Sequence, residues 1–190
     1  ACSRVEGDRY VLGSMGPGAK LISLGQTTWD NMLDSYTEQA RGLLEGGVDA
    51  FIIETCQDIL QVKCAINACL DALAFFDKTT ESIPILVSIT IETTGTMLVG
   101  SDLETIVHAL APYPIFSLGL NCATGPELME THIAWLSENW SGEISVVPNA
   151  GLPEFVSGCA HFPLSAHAYG MAMKRFVEKY GVRIIGGCCG

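Results

Sequence analysis

The chain has 190 residues, 21 of them acidic and 10 basic, for a formal charge of −11. An apolar fraction of 48% supports a sizeable folded core and excludes a disordered chain. The acidic balance excludes nucleic acid or an anionic membrane surface as partner. The most apolar stretch, residues 83–91, contains Pro84, Ser88 and Thr90. It falls well short of the roughly 20 residues that a membrane span needs.

Six apolar runs read as strands, at residues 10–13, 50–54, 85–89, 115–120, 144–147 and 182–186. Each is continuous rather than alternating, as expected for strands buried on both faces of a parallel sheet. Between them lie helical patterns. Trp29, Leu33, Tyr36, Ala40, Leu43 and Leu44 form a stripe closed by Gly46 and Gly47. Ile59, Val62, Ile66, Cys69, Leu73 and Phe76 form a second, with steps of three and four. Ser101 with Glu104, and Thr124 with Glu127, read as capping boxes opening two further helices, the second with Pro126 in its first turn. A last helix spans about 165–180 and stops at Gly181.

The order is therefore β-α repeated, with strand starts 40, 35, 30, 29 and 38 residues apart, the size of a βα unit. Two architectures take this order: an open doubly wound sheet and a (β/α)8 barrel. A barrel needs eight strands and the chain offers six, so either the sheet is open or the chain is a piece of a barrel.

Polar residues and cysteines gather just after the strands. They are Gly16-Pro17, Glu54-Thr55, Thr93-Thr94, Asn121-Cys122, Pro148-Asn149-Ala150-Gly151 and Gly186-Gly187-Cys188-Cys189-Gly190. In α/β folds the carboxyl ends of the strands carry the site, so these read as one pocket. Eight cysteines are about 4% of the chain, too few for a disulfide scaffold. They point to a reducing, cytoplasmic setting, with thiols buried or used for chemistry. Cys64 and Cys69 fall on a helix and Cys56 follows a strand, so packing accounts for all three. Cys2 and Cys159 carry no role. Cys122, Cys188 and Cys189 sit at strand ends among small residues, where an idle tight turn is the plain alternative to a soft-metal site. As ligands, three thiolates would leave one position of Zn²⁺ open, the mark of a catalytic rather than a structural site. Zn²⁺ with three thiolates is net negative and a weak activator of water. It suits the ionisation of a substrate thiol of pKa about 8.5, and hence alkyl transfer to sulfur.

Gly-Leu-Asn-Cys at 119–122, Pro-Asn-Ala-Gly-Leu-Pro at 148–153 and Gly-Gly-Cys-Cys-Gly at 186–190 resemble the homocysteine S-methyltransferase domain. Gly-Ser-Met-Gly-Pro at 13–17 and Ile-Glu-Thr at 53–55 fit it too. The resemblance implies a (β/α)8 TIM barrel with zinc on Cys122, Cys188 and Cys189. The 148–153 turn is more similar to the cobalamin-dependent branch than to the betaine-using one. That implies homocysteine as substrate, with folate- and cobalamin-binding domains elsewhere on the parent chain. Glu54 is then expected to receive the substrate ammonium, Asn149 to meet the substrate or the metal, and Asn121 to orient the site beside Cys122.

The family's first turn, Asp-Gly-Ala-Met-Gly-Thr-like, and its second, near Glu-Thr-Asn, have no counterpart here. The expectation is a single homocysteine-binding domain over 1–190, holding about strands three to eight, truncated at both ends and inactive alone. Two rivals remain: a stand-alone thiol methyltransferase using betaine or S-methylmethionine, and a non-catalytic metal- or redox-binding α/β domain.

Overall fold

The structure, a computed structural model, describes residues 8–156 and 158–190; Cys2 lies outside the described residues. The elements are β1 (Leu12–Met15), α1 (Trp29–Glu45), β2 (Ala50–Cys56), α2 (Ile59–Phe75), β3 (Ile85–Ile89), α3 (Leu103–Leu110) and β4 (Ser117–Asn121). They continue with α4 (Pro126–Asn139), β5 (Glu143–Val147), β6 (Glu154–Val156), β7 (Cys159–His161), α5 (Ala166–Tyr180) and β8 (Ile184–Ile185). No helix among the described residues is long and apolar enough to cross a membrane.

Six strands pair in parallel in the order β1-β2-β3-β4-β5-β8. The order never reverses. A doubly wound sheet reverses at its switch point, so that alternative is excluded. With right-handed crossovers, a one-way order puts every helix on the same face and curls the sheet into an arc of a (β/α)8 barrel. The core shows this directly. Phe51, Ile53, Ile85, Val87, Ile89, Leu118, Leu120, Ile144 and Val146 point out to the helices. There they meet Ala40, Leu44, Val62, Ile66, Cys69, Ile106, Ile133 and Phe176 in one cluster.

The opposite face differs from the expected continuous apolar strands. The alternating positions keep apolar residues such as Leu12, Ile52 and Leu86 toward the strand starts, but Ser14, Glu54, Ser88, Ser117, Gly119, Asn121 and Ser145 are small or polar. Ser88, Ser117, Asn121 and Ser145 are nonetheless buried. Around β4 the curvature crowds this concave side, so the small Ser117 and Gly119 fit there. Gly119 is the extreme case. A Cβ there would lie 2.0 Å from both the carbonyl oxygen and the Oγ of Ser145.

Local signals decide most helix ends. Thr28 caps α1 through Asn31 N, and Ser165 caps α5 through Ala168 N. Gly181 ends α5 in a left-handed conformation (φ 68). Asp58 caps α2 through Leu60 N (2.9 Å) and also accepts from Ser23 N and Oγ (2.8 Å each), tying the preceding loop to the helix. Two expected caps are corrected. Asp102, not Ser101, caps α3, accepting from Thr105 N at 2.8 Å. Its carboxylate also complements the helix dipole, which a serine does not. Gly125, not Thr124, precedes α4, with no side-chain cap. Thr124 is drawn away because its carbonyl accepts from Asn149 N (3.1 Å).

The first strand begins two residues later than the pattern indicates, the fourth shifts to Ser117–Asn121, and the last shrinks to Ile184–Ile185. The antiparallel hairpin β6-β7, which includes Cys159 and His161, has no counterpart among the expected strands.

Gly119→Ala should lower stability by more than about 3 kcal/mol, because the added methyl meets the Ser145 backbone, which cannot give way, as well as its side chain. Urea unfolding should show loss of the cooperative transition or a large fall in its midpoint.

Candidate metal centre

The site is built on three neighbouring strands. At the end of β4 the chain turns through two consecutive left-handed residues, Cys122 (φ 61) and Ala123 (φ 54). The turn is closed by Thr124 N donating to Cys122 O (2.6 Å) and anchored by Cys122 N donating to Val147 O (3.2 Å). At the end of β8, Gly186 N donates to Val146 O (3.1 Å) and Cys188 N to Pro148 O (3.0 Å). Between these turns runs the segment 148–150 after β5. It bonds both ways: Asn149 N to Thr124 O on one side, and Ala150 N to Cys189 O (2.7 Å) on the other. Gly125 and Gly151 allow the turns to close up, since a Cβ on Gly125 would come 2.8 Å from Gly151 Cα.

The result is convergence of three sulfurs. Sγ of Cys122, Cys188 and Cys189 all lie within 4.8 Å of one another, and those of Cys188 and Cys189 are 3.8 Å apart. No other group of three His, Cys, Asp or Glu side chains gathers in this way among the described residues. Loss of solvent around its sulfur, and then the like charges of Cys122 and Cys189, push the Cys188 thiol up to about 12. Bringing three thiols together without a cation therefore resists ionisation, and a cation at the centre reverses that effect.

The other thiols behave differently. Cys56, Cys64 and Cys69 are buried in the helix-facing core. Burial pushes Cys56 up to about 12 and Cys64 up to about 11, and raises Cys69 as well. Cys159 is exposed on the hairpin. All four stand apart from the cluster.

The expected polar residues also surround this end of the sheet. Asn149 is buried, and its Oδ1 accepts from Cys189 N (3.2 Å). Glu54 is half-buried at the end of β2, with its Oε1 accepting from Ser14 Oγ on β1. Asn121 is buried with its amide turned along the sheet rather than toward a cysteine. Its Oδ1 accepts from Thr55 N (3.0 Å) and Ser88 Oγ (2.9 Å), and its Nδ2 donates to Thr55 Oγ1 (2.8 Å). The four histidines lie elsewhere: His108, His161 and His167 are exposed and His132 is half-buried on α4.

Tyr169 is a site residue with no signature in the sequence. An aromatic in the first turn of an apolar-striped helix reads as packing. Instead its hydroxyl lies 2.5 Å from Gly186 O and 3.0 Å from Pro148 O, joining the two loops that present Cys188, Cys189 and Asn149. Burial and the neighbouring Cys188 raise its pKa, so it remains a neutral donor.

A sequence model of the family described as Homocysteine S-methyltransferase matches residues 1–190. The chain belongs to the homocysteine S-methyltransferase family. Among the relatives of this family member is the methionine synthase of Mycobacterium leprae (strain TN). It is 45% identical over 182 residues, covering 96% of this chain and 15% of that protein. The methionine synthase of Mycobacterium tuberculosis (strain ATCC 25618 / H37Rv) is 44% identical over the same shares. The chain thus spans about 15% of the length of the curated relatives it matches. In fold it is similar to the homocysteine methyltransferase MmuM from Escherichia coli. The apo form gives a TM-score of 0.68 at 23% identity, over 96% of this chain and 59% of that one. The metallated form gives 0.63 at 22% identity, over 96% and 57%.

Tyr169→Phe removes the bonds joining the two loops while leaving every thiol in place. Loss of such a supporting contact should weaken binding of a thiophilic divalent metal by about tenfold or more. Competition of zinc-loaded protein against a chromophoric chelator would measure this.

Proposed function

We propose that this chain is the homocysteine-activating module of a methionine synthase. In this reading it holds one Zn²⁺ through Cys122, Cys188 and Cys189 and presents homocysteine as the sulfur nucleophile that accepts a methyl group. The observation that carries the reading is the convergence of three sulfurs at the carboxyl ends of β4 and β8. The donor set fits zinc: it is all sulfur, and no fourth His, Cys, Asp or Glu joins it among the described residues. When bound, the metal supplies the positive charge that keeps these thiols, and a substrate thiol at the open position, ionised near neutral pH.

The chain's own residues place the substrate. Glu54 accepts the homocysteine ammonium, its carboxylate steadied by Ser14. Asn149 stands between the two cysteine-bearing turns and offers its amide to the substrate, with its Oδ1 engaged by Cys189 N. The substrate sulfur supplies the electron pair for the new S–CH₃ bond, and the donor keeps the pair of the bond that breaks. The likeness to two methionine synthases over nearly the whole chain supports methylcobalamin as donor, carried with folate by other domains of the parent chain.

Metal analysis of the purified protein should find about one zinc per chain, falling to a small fraction in Cys122→Ser or Cys188→Ser. Full retention in either variant would remove the reading. The pH dependence has a definite sign. A metal-bound thiolate must first lose its proton, and the Cys188 thiol lies at about 12 in the absence of metal. Zinc affinity should therefore fall steadily as pH is lowered through the neutral range.

Homocysteine binding to the zinc-loaded protein should release about one proton near neutral pH, because a free thiol of pKa about 8.5 is mostly protonated there. Calorimetry in buffers of different ionisation enthalpy counts that proton, and a count of zero would exclude ionisation of the substrate thiol.

A further inference from the structure

Three of the four non-glycine left-handed residues among the described residues stand at this end of the sheet: Thr55 (φ 62), Cys122 (φ 61) and Ala123 (φ 54). A β-branched residue in that region is strained and persists only where its surroundings over-determine it. At Thr55 the surroundings are identifiable. The pairing of β2 with β3 slips between Ile53 and Cys56: Ile53 faces Val87 and Cys56 faces Ile89, so β2 holds one extra residue. The bulge contains Glu54 and Thr55. Bulges bend a strand and re-aim its side chains.

One side chain closes this bulge. Asn121 reaches from β4 across the intervening β3 to β2, accepting from Thr55 N and donating to Thr55 Oγ1. On the way it accepts from Ser88 Oγ, while Thr90 Oγ1 donates to the Asn121 carbonyl (3.1 Å). Asn121 is itself buried, so its alternatives to these partners are few. Its main chain leads directly into Cys122. A single residue thus joins the corner bearing Glu54 to the turn bearing a thiol.

Resting on the reading of Glu54 as acceptor of the homocysteine ammonium, we infer that Asn121 is a positioning residue that fixes the Glu54 carboxylate relative to the thiol cluster. Homocysteine carries its sulfur and its ammonium at the two ends of a short carbon chain. Both ends can be held at once only if the spacing of the two subsites is fixed. Asn121 sets that spacing.

The test compares two ligands on zinc-loaded protein by calorimetric titration: homocysteine, and γ-mercaptobutyrate, which keeps the thiol and carboxylate and lacks the ammonium. In Asn121→Ala, homocysteine should bind about tenfold more weakly, the scale of a charged hydrogen bond put out of place. Binding of γ-mercaptobutyrate should change by less than about twofold, and zinc content should stay the same. Thr55→Val deletes only the Oγ1 acceptor and should show the same selective loss at smaller size. It carries the test if Asn121→Ala does not fold. Equal weakening of both ligands, loss of zinc, or unchanged homocysteine binding would overturn the inference. If the wild-type protein does not itself distinguish the two ligands, the Glu54 reading fails and this inference with it. If the wild type discriminates and both variants keep that discrimination, only the inference fails.

Discussion

Cys122 and Cys188 are 66 residues apart in sequence, and what brings them together is the backbone of residues 148–150. This segment continues the line of β5 beyond its last ladder pair, and it is bonded to the Cys122 turn on one side and the Cys188–Cys189 turn on the other. Adjacent strands lie about 4.8 Å apart. Cysteines on the two strands flanking β5 therefore face each other across a single strand, and their side chains close the remaining gap. The left-handed turn at Cys122 and the glycines around Cys188 are the local adjustments that aim the sulfurs inward. The monotonic strand order is the deeper condition. Had the order reversed after β5, β8 would have lain beyond β1, with three strands between its cysteines and Cys122.

This arrangement works against the fold when no cation is present. Three thiols within a few ångströms repel as they ionise, and the Cys188 pKa is raised first by loss of solvent and then by that repulsion. The turn holding Cys122 adds two left-handed residues, each disfavoured on the order of 1 kcal/mol. These local costs are offset by the helix-facing core, where fully buried side chains such as Phe51, Ile53, Ile66, Ile106 and Phe176 each contribute roughly 1.5–3 kcal/mol. The sheet thus divides its labour by face: the convex side supplies stability, and the concave side and strand ends hold strained, polar and reactive groups.

The cysteines illustrate how environment, rather than residue type, sets reactivity. In the core, Cys56 and Cys69 lie among apolar side chains, and Cys69 touches Met15 (3.4 Å between sulfurs). Burial, joined at Cys56 by the nearby charges of Asp58 and Glu54, keeps them protonated at neutral pH. Cys188 has a similarly raised pKa, but part of the cause is its two neighbouring thiols, a cause that a shared cation reverses. A raised pKa therefore accompanies a thiol packed in the core in one place and a member of the three-sulfur cluster in the other.

Periodicity and residue chemistry are local properties, and the sequence alone determined what depends on them: the β-α alternation, the helix stripes, the family and the three cysteines that the fold brings together. The placement of polar residues after the strands was legible because each of the six paired parallel strands ends within two residues of its apolar run. Hydrogen-bond partners far apart in the chain were not. Asn121 was expected to serve its neighbour Cys122, yet its amide bonds to Thr55, 66 residues away. Nothing in the sequence singles out Tyr169, whose hydroxyl the fold puts against Gly186 and Pro148. Ser101 and Thr124 lost their expected capping roles to Asp102 and Gly125, since a one-residue choice of cap depends on which neighbouring groups are already bonded. The choice between a doubly wound sheet and a barrel arc also needed the structure. Both use the same β-α order, and only the pairing of strands in space, a non-local set of backbone hydrogen bonds, distinguishes them.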